Sequence, residues 1–539
     1  MNILDVDDDL MALIMERADL RDQERFLVFG LVCWRWARLA YSLPYKRLDL
    51  RKGELGILFK NKISYDVDIF RKDRTDEEKA ESLEAVRDSF ESSTLVRRIN
   101  RLLVEELYFE YLPSRLLPLF HELFPRVKRI TVMDAFFSSS ILPEASSPTS
   151  NSLPDFAAFS QLQILNLLEC QVNAATLPGN SLTHLLIRLH HSNTIIGSEE
   201  AAQPLLDEIC QCTNLKVLSI DVQIPLDSFT HLKFLVYRIT NHEGLQWLER
   251  FKGEHLESLA VSFSISAPLF PSLAHFSKLT ALDISLANVD IPPHSVSKLS
   301  LKSLRLISNS QFSLEPFGGQ SELVSLEITC PSNRDQLTYR DFEIIERFYK
   351  LRKLKLRGNF IFRDIGILFP TLSRLTSLTL DLENSYKNLE PEEFDVLLAH
   401  LSPANLTTLE VIKFNPTIDH IKTISKLSNL KMLSLILGKE CFPTDLWMDI
   451  LTVLRQLKEL TFIRLHGNDY GRRFSARSQT NFLSTQGNRL TIESLAAAVN
   501  KMKQLEALSV TNIFPSKTAE DFRRLLSEEH RSGLILSMF

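Results

Sequence analysis

A six-residue pattern, Leu-x-x-Leu-x-apolar, recurs along most of this chain. Clear copies stand at Leu162-Leu165-Leu167, Leu182-Leu185-Ile187, Leu215-Leu218-Ile220, Leu256-Leu259-Val261, Leu279-Leu282-Ile284, Leu301-Leu304-Leu306 and Leu323-Leu326-Ile328. They continue at Leu351-Leu354-Leu356, Leu375-Leu378-Leu380, Leu406-Leu409-Val411, Leu430-Leu433-Leu435, Leu457-Leu460-Phe462 and Leu505-Leu508-Val510. Weaker copies are Val104-Leu107-Phe109, Val127-Ile130-Val132 and Leu232-Leu235-Tyr237. A strand turns successive side chains to opposite faces, so the fourth and sixth positions of each hexad share one face and the third and fifth share the other. The pattern predicts one short strand per hexad, with the leucines in the core and the residues between them on the surface.

Consecutive hexads often begin about 22 residues apart, as from Leu279 to Leu301 to Leu323. Longer intervals, from Leu182 to Leu215, Leu375 to Leu406 and Leu457 to Leu505, leave room for a helix or an inserted loop in the return arm. Asp341-Phe342-Glu343-Ile344-Ile345-Glu346-Arg347-Phe348 and Pro391-Glu392-Glu393-Phe394-Asp395-Val396-Leu397-Leu398 carry apolar residues at helical spacing and supply two such helices. One strand-turn-helix unit cannot bury its own apolar face, whereas stacked units bury it against each other. Each large aliphatic side chain so buried contributes roughly 1.5 to 3 kcal/mol.

The hexad resembles the leucine-rich repeat, a family that favours Asn or Cys at the ninth position, as at Cys170, Asn309 and Asn359 here. The resemblance implies an α/β leucine-rich-repeat solenoid, a horseshoe of about 16 repeats over residues 101–539 with strands on the concave side and helices on the convex side. A Gly- and Arg-containing stretch at 464–490, with Arg472 and Arg473, is expected to interrupt it as a basic loop.

The N-terminal fifty residues differ. Leu31-Val32-Cys33-Trp34-Arg35-Trp36 resembles the end of an F-box, and Val6, Leu10 and Ile14 match the apolar positions of its opening helix. The family's opening Leu-Pro pair corresponds here to Val6-Asp7. This resemblance implies a small helical F-box-like domain over 1–50 that offers Val6, Leu10, Ile14, Leu31, Val32 and Trp36 to a Skp-type adaptor, and through it to a cullin scaffold. Sequence alone leaves open which of these six form that interface and which the domain's own core, and a plain helical cap on the solenoid is the alternative. Residues 51–100, charged and helical in pattern, read as a spacer or an atypical first repeat. The Ser- and Pro-rich stretch 138–154, with Ser147-Pro148, reads as an exposed loop.

Composition narrows the function. A formal charge of -5 over 539 residues, with no extended Lys/Arg run, argues against a nucleic acid as the main partner. The six cysteines are scattered rather than clustered and are expected to be reduced thiols. The opening Met1-Asn2-Ile3-Leu4-Asp5-Val6 lacks an export signal, and no apolar run has membrane-spanning length, so a cytoplasmic or nuclear location without membrane contact is expected.

Candidate chemistry does not assemble. His121-Glu122 lacks a second metal-binding histidine, Cys210-Gln211-Cys212 has no second cysteine pair, His190-His191 is unsupported, and Phe317-Gly318-Gly319-Gln320 reads as a repeat turn. No catalytic residue, metal or cofactor is expected. Binding therefore falls to the surface positions of the hexads, where charges alternate among small polar residues. Asp283, Arg305, Glu327, Lys353 and Lys355, with Arg472 and Arg473, are the expected contacts for a target protein. The implied function is substrate recognition within an SCF-type ubiquitin ligase. The alternative is a repeat scaffold or GTPase regulator whose N-terminal segment only caps the solenoid.

Overall fold

The computed structural model describes residues 47–49, 104–110, 117–133, 155–170, 175–189, 199–221, 223–264, 270–286, 291–308, 313–330, 337–358, 369–381, 391–414, 418–437, 453–454, 457, 459–460, 462–466, 492–511, 519–528, 530 and 534–538. The chain divides into two compact units, residues 1–238 with 243–256 and residues 239–242 with 257–539.

In unit 1 the strands β1 (Arg47–Asp49), β2 (Glu106–Glu110), β3 (Arg129–Met133), β4 (Ile164–Cys170), β5 (His184–Leu189), β6 (Val217–Ile220) and β7 (Phe234–Ile239) follow one another in a parallel sheet in chain order. Unit 2 repeats the arrangement with β8 (Ser258–Phe263), β9 (Ala281–Leu286), β10 (Ser303–Ser308), β11 (Ser325–Cys330), β12 (Lys353–Gly358) and β13 (Ser377–Asp381). It continues through β14 (Thr408–Phe414), β15 (Met432–Leu437), β16 (Phe462–His466), β17 (Ala507–Thr511) and β18 (Ile535–Met538). Parallel neighbours demand a crossover between them, and the return arms supply it. Each unit is a leucine-rich-repeat solenoid: short parallel strands stacked one repeat at a time.

The inward row is as the hexads require. Leu351, Leu354 and Leu356 are at most 2% exposed, and so are Leu375, Leu378 and Leu380. Pairing is position for position, with Leu326 opposite Leu354 and Leu354 opposite Leu378. The helices Tyr339–Glu346 and Pro391–His400 occupy the predicted return arms. The first begins two residues earlier than its apolar spacing suggests, because Thr338 caps it: Thr338 Oγ1 accepts from Asp341 N, and Asp341 Oδ2 accepts from Thr338 N at 2.9 Å. Asp341 is buried, and its other oxygen accepts from Leu314 N at 2.8 Å, tying this helix to the preceding return arm.

A further anchor precedes most hexads. The residue three before the first leucine is apolar and buried, as at Phe159, Cys212, Phe276, Phe348, Leu372 and Leu427. Its carbonyl accepts from the N–H of the first leucine, at 2.9 Å for Phe348 and Leu351 and 3.0 Å for Phe276 and Leu279, closing a turn into the strand. Before Leu323 the anchor is the polar Gln320. It is buried, its Oε1 accepts from Leu301 N at 3.0 Å and its Nε2 donates to Val296 O at 3.0 Å, so its polar atoms are satisfied.

This anchor corrects one expected repeat. In β16 the residues in register with Leu433 and Leu435 are Ile463 and Leu465, so the hexad there is Leu460-Ile463-Leu465. Leu457, expected to open the hexad, is the buried anchor before it. The same strand contains Arg464 and His466, which moves the start of the expected 464–490 loop beyond residue 466; the rest of that loop lies outside the described residues. The sheet also reaches further than expected at both ends. β1 pairs in register with β2 from within the N-terminal fifty residues, and β18 adds a strand after the last recognised hexad.

Gly358, at the end of β12, has φ of +128°. A Cβ there would lie 2.2 Å from the Cys330 carbonyl oxygen, so only glycine fits this close strand-end approach. Among the described residues no helix is long and apolar enough to cross a membrane.

Candidate recognition surface

In unit 2 the third, fifth and seventh positions of successive hexads form continuous rows on the outward face of the sheet, because the strands pair without offset. The fifth-position row reads Asp283, Arg305, Glu327, Lys355, Thr379, Glu410 and Ser434. Its members bind one another. Arg305 Nη1 lies 3.0 Å from Asp283 Oδ2, Arg305 Nε 3.3 Å from Glu327 Oε1, and Lys355 Nζ 3.0 Å from the same Glu327 oxygen. Farther along, Thr379 Oγ1 donates to Glu410 Oε2 at 3.4 Å and Ser434 Oγ to Glu410 Oε1 at 3.0 Å. Partial burial alone would lower the Arg305 guanidinium, but Asp283 and Glu327 outweigh it and raise it above its ordinary value.

Four of the five expected contacts in unit 2 thus form a self-neutralising ladder. Lys353 stands apart from it. It lies in the third-position row between Ser325 and Ser377, exposed, with hydroxyl neighbours on either side. In the seventh-position row, Arg357 Nε lies 3.1 Å from Asp381 Oδ2. The Nε–H itself makes no well-aligned hydrogen bond. The Asp381 side chain is only 8% exposed. Arg472 and Arg473 lie outside the described residues, as do Val6, Leu10, Ile14, Leu31, Val32 and Trp36.

Unit 1 carries a different face, which reading the alternating charges of unit 2 leaves unnoticed. Its first rows are polar. Arg129 faces Glu106 at 3.8 Å, and Asn166 Nδ2 donates to Thr131 Oγ1 at 3.1 Å. From β4 to β7 the third positions become Ile164, His184, Val217 and Phe234, and the fifth positions include Leu186 and Val236. Phe234 is 44% exposed and Val236 45%, both large apolar side chains projecting from a paired strand. The signal is present in the hexads: apolar residues stand at outward positions of four consecutive copies, those of Leu162, Leu182, Leu215 and Leu232. His184 is held below its ordinary value by burial first, then by Arg129 and Lys216, which favours the neutral imidazole within this row.

Among the described residues no group of three or more His, Cys, Asp or Glu side chains could hold a metal ion. Cys170, Cys210, Cys212 and Cys330 carry free thiols, and burial pushes the Cys212 thiol up to about 12, leaving it protonated and unreactive. Cys170, at a ninth position, uses its thiol structurally, donating to Leu168 O at 3.3 Å.

No protein-family model and no curated protein sequence matches the chain. Solved structures similar to it include a leucine-rich-repeat protein of Leptospira interrogans, 16% identical over 82% of this chain and 91% of that one, with a TM-score of 0.33. An internalin of Listeria monocytogenes is 14% identical over 71% and 82%, TM-score 0.28. The Toll–Spätzle complex of Drosophila is 12% identical over 79% and 51%, TM-score 0.32.

Proposed function

We propose that this chain is a non-catalytic receptor that binds a target protein on the outward strand face of its repeats and presents it, through the N-terminal F-box-like segment, to a Skp-type adaptor and the cullin scaffold of an SCF-type ubiquitin ligase. The transfer chemistry belongs to other subunits. The observation that carries the binding half is the face of β5 to β7, where Phe234 and Val236 project into solvent from a strand paired in register with β6. Exposed aromatic and aliphatic side chains on a rigid support suit the centre of a protein interface, where such anchors supply most of the affinity. The adaptor half rests on Leu31-Val32-Cys33-Trp34-Arg35-Trp36 and the apolar positions before it.

The test is a pull-down of the purified chain against a Skp-type adaptor, with Trp36→Ala and Val32→Asp as variants and circular dichroism as the folding control. Wild type is expected to capture the adaptor and the folded variants to lose it. Failure of wild type to capture would overturn the ligase reading and leave a repeat scaffold capped by its N-terminal segment.

A further inference from the structure

In unit 2 the segment Arg347-Phe348-Tyr349-Lys350-Leu351-Arg352-Lys353-Leu354-Lys355-Leu356-Arg357, which runs into β12, contains six cations and no acid. Three of them have carboxylate partners: Lys350 with Glu322 at 2.6 Å, Lys355 with Glu327 at 3.0 Å and Arg357 with Asp381 at 3.1 Å. Arg352 and Lys353 are exposed, and among the described residues no carboxylate pairs with either. Arg352 donates only to a backbone oxygen, from Nη1 to Leu351 O at 3.1 Å. Lys302, exposed two repeats earlier, likewise has no carboxylate partner among the described residues. An unneutralised cation on a rigid strand face attracts an anion from outside the fold.

The backbone places these residues in two adjacent rows. Val324 N donates to Lys302 O and Arg352 N to Val324 O, both at 2.9 Å, then Thr376 N to Arg352 O at 2.8 Å and Thr407 N to Thr376 O at 2.9 Å, which defines the second-position row of five consecutive repeats. The third-position row beside it holds Ser303, Ser325, Lys353, Ser377 and Thr408. Neither row contains a carboxylate. Glu322 and Glu327, which flank the two rows, are already engaged, the first by Lys350 and the second by Arg305 and Lys355. Between Lys302 and Arg352 stands Val324, an exposed apolar side chain. Neighbouring strands lie about 4.8 Å apart, so the two cations are attached about 10 Å apart with the valine between them.

We infer that the second- and third-position rows of β10 to β12 dock a segment of a partner protein in which two acidic side chains flank a large apolar one, the carboxylates meeting Lys302 and the Arg352–Lys353 pair and the apolar group covering Val324. A nucleic acid fits less well, since Val324 interrupts the cations and the same rows at β13 and β14 carry hydroxyls alone, Thr376, Ser377, Thr407 and Thr408. This inference rests on the receptor reading above only in its target-binding half and is independent of the adaptor.

The full-length chain would be used to select from a displayed library of random peptides, with the Arg352→Glu, Lys353→Glu double variant as counter-selection, and recovered peptides would be measured by fluorescence anisotropy. Enriched sequences should place Asp or Glu on both sides of Leu, Ile or Phe. The double variant should weaken their binding at least about tenfold, and Val324→Ser about threefold. Affinity should fall as salt is raised, because these cations are exposed to screening. Lys216→Glu, in unit 1, should leave affinity unchanged, and circular dichroism would confirm that each variant folds. The inference is overturned if no peptide is selected, if selected peptides lack acidic residues, if the double variant binds them like wild type, or if only a single-stranded oligonucleotide binds these cations. Peptides that are lost with Phe234→Ser but kept by the double variant would leave the receptor reading standing and remove this docking site. Loss of adaptor capture with acidic-peptide binding intact would remove the ligase role alone.

Discussion

The two units share one architecture and present opposite surfaces. In unit 2 the fifth-position row alternates sign, and each charge has a partner one strand away: Asp283 with Arg305, Arg305 with Glu327, Glu327 with Lys355. In unit 1 the corresponding rows around β5 to β7 hold Leu186, Val217, Phe234 and Val236. A charged residue invites a binding assignment when seen in a linear sequence. Stacked in register, charges of alternating sign satisfy one another, and a partner would have to break those pairs to use them. The exposed apolar side chains of unit 1 gain by being covered.

The most severe way to break this comparison is to attack what both units share. Leu354→Asp in unit 2 and Leu218→Asp in unit 1 each place an unpaired carboxylate in the inward row, at a cost above about 4 kcal/mol. Both should abolish cooperative thermal unfolding followed by circular dichroism, and a variant melting like wild type would show that these leucines are not core. A finer cut separates two ion pairs of unit 2. Arg357→Ala removes the cation facing the nearly enclosed Asp381 carboxylate and should cost about 2 to 3 kcal/mol. Arg305→Ala removes the centre of the exposed ladder and should cost no more than about 1 kcal/mol. Urea denaturation of the two variants would settle the difference, and equal costs would mean that burial does not distinguish the pairs.

The smallest effect belongs to unit 1. His184 has its folded pKa lowered by burial and by Arg129 and Lys216, so above the ordinary histidine value of about 6.5 it is neutral in both states and carries no penalty. As pH falls through the folded value the unfolded chain binds the proton more readily, and stability declines. His184→Gln should flatten this part of the stability profile between pH 7 and 5, measured by denaturant melts. An unchanged slope would assign the acid sensitivity to other groups.

Much of the fold is legible in the hexads because burial imposes the same residue type at the same place in every repeat. Leu354, Leu378 and Leu409 could be aligned without coordinates, and the structure pairs them. The misplacement of one repeat has a plain cause: Leu457, Leu460 and Ile463 are all apolar at three-residue spacing, and only strand pairing tells an anchor from the first hexad position. The recognition surface was less legible. The register that joins Arg305 to Asp283 and Glu327 links residues 22 apart in each direction, so pairing cannot be inferred from their identities alone.

Pairing without offset turns the outward face into a coordinate grid, in which the strand gives one index and the hexad position the other. Residues at the third and fifth positions can be exchanged along a row while every leucine behind them stays in place, so partner choice can drift or be redesigned with little effect on the stack. The grid has defects. Pairing slips between Leu168 and Cys170 where β4 meets β5, and between Ile412 and Phe414 where β14 meets β15, beyond the seventh position in both cases. Transplanting a surface from one repeat to another should therefore respect that limit: up to the seventh position a side chain keeps its address, and past it the same substitution lands on a different neighbour.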